Sequence, residues 1–180
     1  MHTAPTTYKR KKDLQSDKKT SPTLVLGCMK EFDYNIDYKN IMFTPNDTRY
    51  RIGRGEQGVL LVRPYTDDIC KHWRFKTPEE AVVSSIKILH MYHTYKGAED
   101  FVGMDMCRKF LEMGFTRARR YANHKDGKKY DAEGNVKPQE PDALTSLKAR
   151  SARIFKEVRD RVTSDPIYQK MRKLWRLEER

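Results

Sequence analysis

The sequence has few cysteines and no long apolar run, and these two absences exclude several classes of protein. Its 180 residues include three widely spaced cysteines, Cys28, Cys70 and Cys107. Without a Cys-x-x-Cys pair we expect no zinc ribbon or redox dithiol, and a scattered odd set is typical of reduced, buried thiols. No apolar stretch approaches the ~20 residues that span a bilayer. The Lys-rich start of the chain also lacks the apolar core of a secretory signal.

These features predict a cytoplasmic protein that does not enter a membrane. The run Lys9-Arg10-Lys11-Lys12 could also act as a nuclear import signal if the host is eukaryotic.

Basic residues are in excess and lie mainly in three segments. The formal net charge is +12 at pH 7. Residues 8–19 hold six Lys or Arg against two Asp, residues 117–129 hold six against one Asp, and residues 148–180 hold eleven against five acids. A concentrated positive excess attracts polyanions. We therefore expect a nucleic acid as the partner, with an acidic protein partner, and so a basic protein adaptor, as an alternative.

The pattern along the chain predicts an α+β fold, in which a small antiparallel sheet is packed by about four helices. Residues 1–22 are rich in Thr, Lys, Asp and Pro and are predicted to be a disordered basic arm. Residues 23–180 are predicted to form a single domain, with residues 131–142 as a linker before the C-terminal helices. Within it, residues 50–52 and 59–62 are predicted strands on either side of a glycine-rich loop.

Local capping signals place the helices. Thr77 and Glu80 form a capping box that starts a helix over residues 78–96, and Asp100 caps the next helix, over residues 101–123. Two further helices are expected over residues 143–163 and from Pro166 onward.

The charged residues of the helix over 101–123 have the spacing of a solvent-exposed face. Asp105 with Lys109 and Arg108 with Glu112 are i,i+4 pairs, which are typical of exposed, self-neutralising helix surfaces. The helix over residues 78–96 has the broader apolar face, so we expect it to be the most buried helix.

The best candidate site lies near the end of the helix over 101–123. We predict that eight residues contact nucleic acid there: Arg117, Arg119, Arg120, Tyr121, His124, Lys125, Lys128 and Lys129. Arginine pairs with phosphate oxygens and tyrosine stacks on bases. The helix dipole favours one or two cations in a last turn, so six Lys and Arg indicate a phosphate-binding surface.

A second candidate is the glycine-rich loop at residues 53–58, which reads G-x-G-x-x-G. A dinucleotide site requires a helix after this motif, whereas a strand-like run follows here, and no protein-kinase motifs are present. Two interpretations remain: a tight structural turn, or the phosphate-contacting loop of an enzyme or binder of a small phosphorylated ligand. The second would use Arg51, Gly53, Arg54, Gly55, Glu56, Gly58, His72 and Arg74.

Residues 72–76, His-Trp-Arg-Phe-Lys, combine two aromatic and three basic side chains. Trp73 and Phe75 are either a stacking platform for a base or anchors in the core. His90 and His93 lack the i,i+4 spacing common among helical metal ligands. The sequence thus predicts no metal and no cofactor, and it identifies no catalytic residue.

Four blocks together resemble a known family: YRIGRGEQGV at 50–59, HWRFK at 72–76, FVGMD at 101–105 and GFTRARRYANHK at 114–125. The resemblance is to an uncharacterised domain-of-unknown-function family of small cytoplasmic proteins from bacteria, fungi and tailed phages. It covers about residues 32–130, with a weaker similarity in the C-terminal helices. It implies a soluble intracellular domain and supplies no activity.

Overall fold

The computed structural model describes residues 32–178. These residues form five α-helices and one short 3₁₀ turn: the turn at Tyr38–Asn40, α1 at Tyr65–Cys70, α2 at Pro78–Gly97, α3 at Phe101–Asn123, α4 at Leu147–Thr163 and α5 at Pro166–Glu178. No helix in this part of the chain is long and apolar enough to cross a membrane. The predicted arm at residues 1–22 lies outside the described residues, as does Cys28.

The predicted antiparallel sheet, and with it the α+β fold class, is wrong. Residues 32–178 contain no strand, and their one isolated β-bridge joins Tyr130 to Val136. Residues 59–62 form consecutive turns in which Val59 and Val62 are buried and Leu60 is exposed. This burial follows an i,i+3 spacing rather than the alternation of a strand. A four-residue apolar run does not distinguish the two structures, because its periodicity is too short to measure.

The helix boundaries set by local capping are confirmed. The Thr77 hydroxyl accepts a hydrogen bond from the backbone N–H of Glu80 at 3.2 Å, and the Glu80 carboxylate accepts one from the N–H of Thr77 at 3.2 Å. The Asp100 carboxylate caps α3 by accepting one hydrogen bond from the backbone N–H of Gly103 at 3.2 Å. The helix predicted from residue 143 instead begins at Leu147, because Ser146 is its N-cap.

The central helix of the described residues is α3, not α2 as predicted. α3 packs against α1, α2, α4 and α5, and α4 also packs against α2. α2 leaves Val82 and Ile86 exposed, whereas α3 has buried residues on all sides. Because neighbours surround the first half of α3, its charged side chains Asp105, Arg108 and Lys109 are buried there.

The i,i+4 pairs of α3 were predicted to lie on an exposed face, and this is wrong. Asp105, Arg108 and Lys109 are all buried. The Tyr50 hydroxyl donates a hydrogen bond of 2.5 Å to Asp105 Oδ2, and the Tyr168 hydroxyl donates one of 2.5 Å to Oδ1. Arg108 Nε also donates to Oδ1, at 2.7 Å. Asp105 therefore connects the chain before the glycine loop to both α3 and α5.

The Asp105 carboxylate is held in its charged form. Burial acts to raise its pKa, but the positive charges of Arg108 and Lys109 and the hydrogen bond from Arg108 outweigh that effect and hold the pKa well below its usual range. Both Nη atoms of Arg108 also donate to the carbonyl oxygen of Gly55, at 3.2 Å each. The charged residues of α3 thus fix the glycine loop against the helix.

We expect Gly58→Ala to lower the free energy of unfolding by about 2–3 kcal/mol. Gly58 has φ +76°, which a side chain disfavours, and an added Cβ would overlap the ring of buried Phe32. Gly55→Ala is the matched control, because Gly55 has φ +57° but open space around it. Urea titrations should show the smaller loss for Gly55→Ala, and equal losses would contradict the packing of Phe32 on Gly58.

Candidate functional site

The end of α3 and the turn that follows it carry a dense group of cations. We name this group the basic end of α3; it comprises Arg117, Arg119, Arg120, Lys125, Lys128 and Lys129. α3 ends at Asn123, and the chain then turns through Gly127, which has φ +70°. Within residues 32–178, none of the six basic side chains forms an ion pair with a carboxylate.

The acidic residues in and just after the basic end pair with other groups or with the backbone. Asp126 is the one acid among residues 117–129, and it pairs with Lys137 at 2.5 Å. The nearby Glu140 carboxylate accepts the backbone N–H of Lys125 at 3.2 Å rather than its side chain. The six cations of the basic end therefore have no direct carboxylate partner within the described part of the protein.

The basic residues of α4 and α5 have a different environment. Arg159 pairs with Glu112 at 2.8 Å, and Lys156 pairs with Asp160 at 2.7 Å. Arg172 lies 3.2 Å from the Asp105 carboxylate. The positive excess of the C-terminal helices is thus partly used in ion pairs, unlike that of the basic end.

The eight residues predicted to contact nucleic acid do not all reach the surface equally. Arg120, Lys125, Lys128 and Lys129 are exposed, and Arg117 is half-buried. The other three occupy distinct positions: Arg119 donates from Nη1 to the carbonyl oxygen of Ala143 at 2.7 Å, His124 is buried, and Tyr121 is 41 % exposed.

An aromatic cavity of about 390 Å³ opens beside the basic end. It is lined by Cys70, Trp73, Arg74, Phe75, Lys76, Tyr121 and Lys148. The ring centre of Phe75 lies 4.9 Å from that of Trp73 and 6.2 Å from that of Tyr121. The cavity therefore gathers the aromatic residues of segment 72–76 and the one aromatic residue near the end of α3.

Lys148 reaches into this cavity from the first turn of α4. Its Nζ lies 5.4 Å from the ring centre of Phe75 and 5.8 Å from that of Tyr121, and it donates to the carbonyl oxygen of Lys76 at 2.7 Å. Burial lowers the pKa of this ammonium. Sequence reasoning missed Lys148, because the helix was predicted to begin at residue 143 and Lys148 therefore fell outside its first turn.

Trp73 is both an anchor and part of the cavity wall. Its indole Nε1 donates to the carbonyl oxygen of Phe110 in α3 at 3.1 Å, which fixes the segment before α2 against the central helix. Both interpretations of residues 72–76 therefore remain open, because an anchored ring can still present a face to a ligand.

Tyr121 contacts both the aromatic cavity and the basic turn, which comprises residues 124–129. A Cβ added to Gly127 would lie 2.7 Å from Cε1 of the Tyr121 ring, so the turn at residues 124–129 packs directly on this side chain. The same ring lies 6.2 Å from the Phe75 ring centre and 5.8 Å from Lys148 Nζ. Tyr121 thus contacts both the turn that carries Lys125, Lys128 and Lys129 and the side chains that line the cavity.

The glycine loop lies elsewhere, against the middle of α3. Its carbonyl at Gly55 accepts from Arg108, and the Glu56 carboxylate accepts from the Thr116 hydroxyl at 2.8 Å. The backbone N–H of Arg54 donates to its own loop, at Gln57 Oε1. These contacts agree with the structural-turn interpretation.

The other residues assigned to that loop site are dispersed. Arg51 donates from Nη1 to the carbonyl oxygen of Thr48 at 2.6 Å, and Gly53 is buried. His72 is exposed after α1, and Arg74 lines the aromatic cavity, which contains no residue of the loop. In the part of the chain that the structure describes, no three His, Cys, Asp or Glu side chains converge as metal ligands would.

These features define a five-helix domain, all-helical over residues 32–178, that presents cations without ion-pair partners beside an aromatic cavity. The chain belongs to the family described as a domain of unknown function, DUF4385, whose sequence model matches residues 33–178. The predicted resemblance to an uncharacterised domain-of-unknown-function family is thereby confirmed. No curated protein and no solved structure matches the chain.

Proposed function

We propose that this protein binds nucleic acid, with phosphates lying along the basic end of α3. The observation that supports this is the lack of ion pairs at the six Lys and Arg side chains of the basic end within the described residues. Like charges gathered at one helix end repel each other, so the surface gains free energy when a polyanion supplies the missing counter-charge. Arg117 and Arg120 can pair with phosphate oxygens in a bidentate manner, and the lysines act as point charges.

A nucleic acid suits this surface better than an acidic protein does. The cavity beside the cations is lined by Trp73, Phe75 and Tyr121, and aromatic faces next to cations are the usual composition of surfaces that bind bases and phosphates together. An acidic segment would use the cations but not the aromatic rings. Binding to an acidic protein is therefore the alternative that the experiment distinguishes from binding to nucleic acid.

Replacing three exposed cations of the basic end should weaken binding strongly. We expect Arg120→Ala/Lys125→Ala/Lys128→Ala to lower the affinity for nucleic acid by at least about tenfold near 0.1 M salt, because each lost phosphate contact removes a counterion-release contribution. The measurement is fluorescence anisotropy with labelled RNA and labelled DNA.

The matched control removes three exposed cations that already have carboxylate partners. Arg63→Ala/Lys71→Ala/Lys156→Ala changes the net charge by the same amount, and these residues pair with Asp67, Asp68 and Asp160. Its affinity should stay within about threefold of the wild type, because exposed paired cations contribute little to an external site. Equal losses of affinity in both variants would show that binding depends on net charge and not on the basic end, which would overturn the proposal. Binding of polyglutamate as tight as that of nucleic acid would favour the adaptor and overturn the proposal.

A further inference from the structure

We infer that the aromatic cavity holds one unpaired base of a single strand whose phosphates lie on the basic end of α3. This inference rests on the proposed function and specifies the form of nucleic acid that is bound. The cavity of about 390 Å³ lies within the size range of small-ligand sites, at its lower end. Tyr121, the wall residue that also contacts the basic turn, would link the base to the neighbouring phosphates.

The charges that line the cavity exclude a cationic ligand. Aromatic cages often bind ammonium groups, but this cavity already has the ammonium of Lys148 above two of its rings. Arg74 and Lys76 add two more positive charges, and no carboxylate lines it. The carboxylate of Glu80 does not line the cavity. It accepts hydrogen bonds from the backbone N–H groups of Lys76 and Thr77. The ligand must therefore combine a flat, polarisable face with negative charge, as a nucleotide does.

Lys148 has the position expected of a group that a base displaces. Its Nζ covers Phe75 and Tyr121, the faces on which a base would stack, and a single hydrogen bond to a backbone carbonyl holds it there. A lysine side chain is long and flexible. When a base enters, Nζ moves off the rings and meets the phosphate of the same nucleotide, which restores a partner for its charge.

The occupant has to be unpaired. Bases in a duplex are stacked on each other and cannot enter a pocket, whereas bases of a single strand can be splayed out onto aromatic side chains. The two cavity side chains chosen for substitution are Phe75, which is half-buried, and Tyr121, which is 41 % exposed, because neither takes part in the hydrogen bond that anchors Trp73 to Phe110.

The test compares three probes of about 12 nucleotides, a length within the site sizes of single-strand-binding domains. The probes are a single strand, the same sequence as a duplex, and an abasic strand that keeps the phosphates but lacks the bases; each is made as RNA and as DNA where the chemistry allows. We expect the wild-type chain to bind the single strand about five- to 150-fold more tightly than the abasic strand, the range that stacking of one base supplies.

Phe75→Leu should bring single-strand affinity down toward that of the abasic strand while leaving abasic binding and its salt dependence unchanged. Tyr121→Leu should weaken single-strand binding more than abasic binding, because Tyr121 also contacts the turn that carries the cations. Leucine keeps the apolar volume and removes the π face. Tyr34→Leu is the control, because Tyr34 is also an exposed ring, 59 % exposed, that does not line the cavity. It should bind all three probes like the wild type.

The two proposals fail in different ways. If the single strand, duplex and abasic strand bind equally and in a salt-dependent manner, the basic end binds phosphates and the cavity inference is wrong. If Tyr121→Leu weakens abasic binding as much as single-strand binding, the tyrosine supports the surface rather than a base, which also overturns the inference. If none of the probes binds, both the proposed function and the inference are wrong.

Discussion

Asp105→Asn should lower the free energy of unfolding by about 3–5 kcal/mol, because it leaves buried cations without their counter-charge. Arg108 and Lys109 are buried beside this carboxylate, with Arg108 Nε at 2.7 Å and Lys109 Nζ at 3.9 Å. The neutral amide would keep the volume and lose the charge. Urea unfolding followed by far-UV circular dichroism measures the loss.

The pH dependence of stability gives a second readout for the same residue. The folded-state pKa of Asp105 is held below its ordinary value, so its contribution is fully present above the unfolded-state pKa of about 3.9 and is lost as the pH falls from there toward the folded pKa. Wild-type stability should therefore fall more steeply below about pH 4 than that of Asp105→Asn.

Two further variants keep this prediction testable if Asp105→Asn does not fold. Tyr168→Phe removes one hydrogen bond to the buried carboxylate and should cost about 1.5–3 kcal/mol. Asp160→Asn alters the ion pairs of a carboxylate that is 46 % exposed, with Lys156 and Arg159, and should cost no more than about 1 kcal/mol. A loss of less than about 1 kcal/mol in Tyr168→Phe would show that the buried cluster does not stabilise the fold as described.

Phe155→Ala should cost about 3–5 kcal/mol, because this ring fills the contact between α3 and α4. Phe155 is fully buried and lies directly on Gly114 of α3, where an added Cβ would sit 2.5 Å from Cδ1 of the ring. Removing the ring leaves a cavity between two long helices, which cannot close without moving one of them. Thermal and urea unfolding both measure the loss.

Substitution of Gly114 tests the same contact from the other side. Alanine is the better helix former by about 0.8–1 kcal/mol, yet Gly114→Ala should destabilise the protein by about 1–3 kcal/mol through overpacking against Phe155. Gly97→Ala is the matched control, since nothing lies within 4 Å of the position that its Cβ would take. A Gly114→Ala protein as stable as Gly97→Ala would contradict this packing.

The parts of the fold that the sequence predicts correctly depend on neighbouring residues. The starts of α2 and α3 follow from Thr77, Glu80 and Asp100, whose capping bonds reach three residues along the chain. The predicted strand at residues 59–62 failed because its apolar residues were too few to show a period.

Long-range contacts account for the remaining errors in the fold. Asp105 and Lys109 have the i,i+4 spacing of an exposed pair, and the spacing is correct, since the two lie 3.9 Å apart. Their burial depends on Tyr50 and Tyr168, which are 55 and 63 residues from Asp105 in the sequence. A pattern along one helix contains no information about such partners.

Some features of the candidate site can likewise be predicted from the sequence, and others depend on how the helices pack. The density of cations at residues 117–129 is a property of the sequence, and so is the presence of Tyr121 among them. That Tyr121 meets Phe75 and Lys148 is a consequence of how α3, α4 and the segment before α2 pack together. The cavity could therefore be recognised only once the chain was folded.

The most direct test of the account is the salt dependence of binding to a single-stranded oligonucleotide. If all six cations of the basic end contact phosphates, the logarithm of the association constant should fall with the logarithm of salt concentration with a slope of about −4, measured between about 50 and 200 mM salt. The variant Arg120→Ala/Lys125→Ala/Lys128→Ala should show a slope of about −2. An association constant that does not change with salt, or a slope that is the same in the wild type and the variant, would contradict the account.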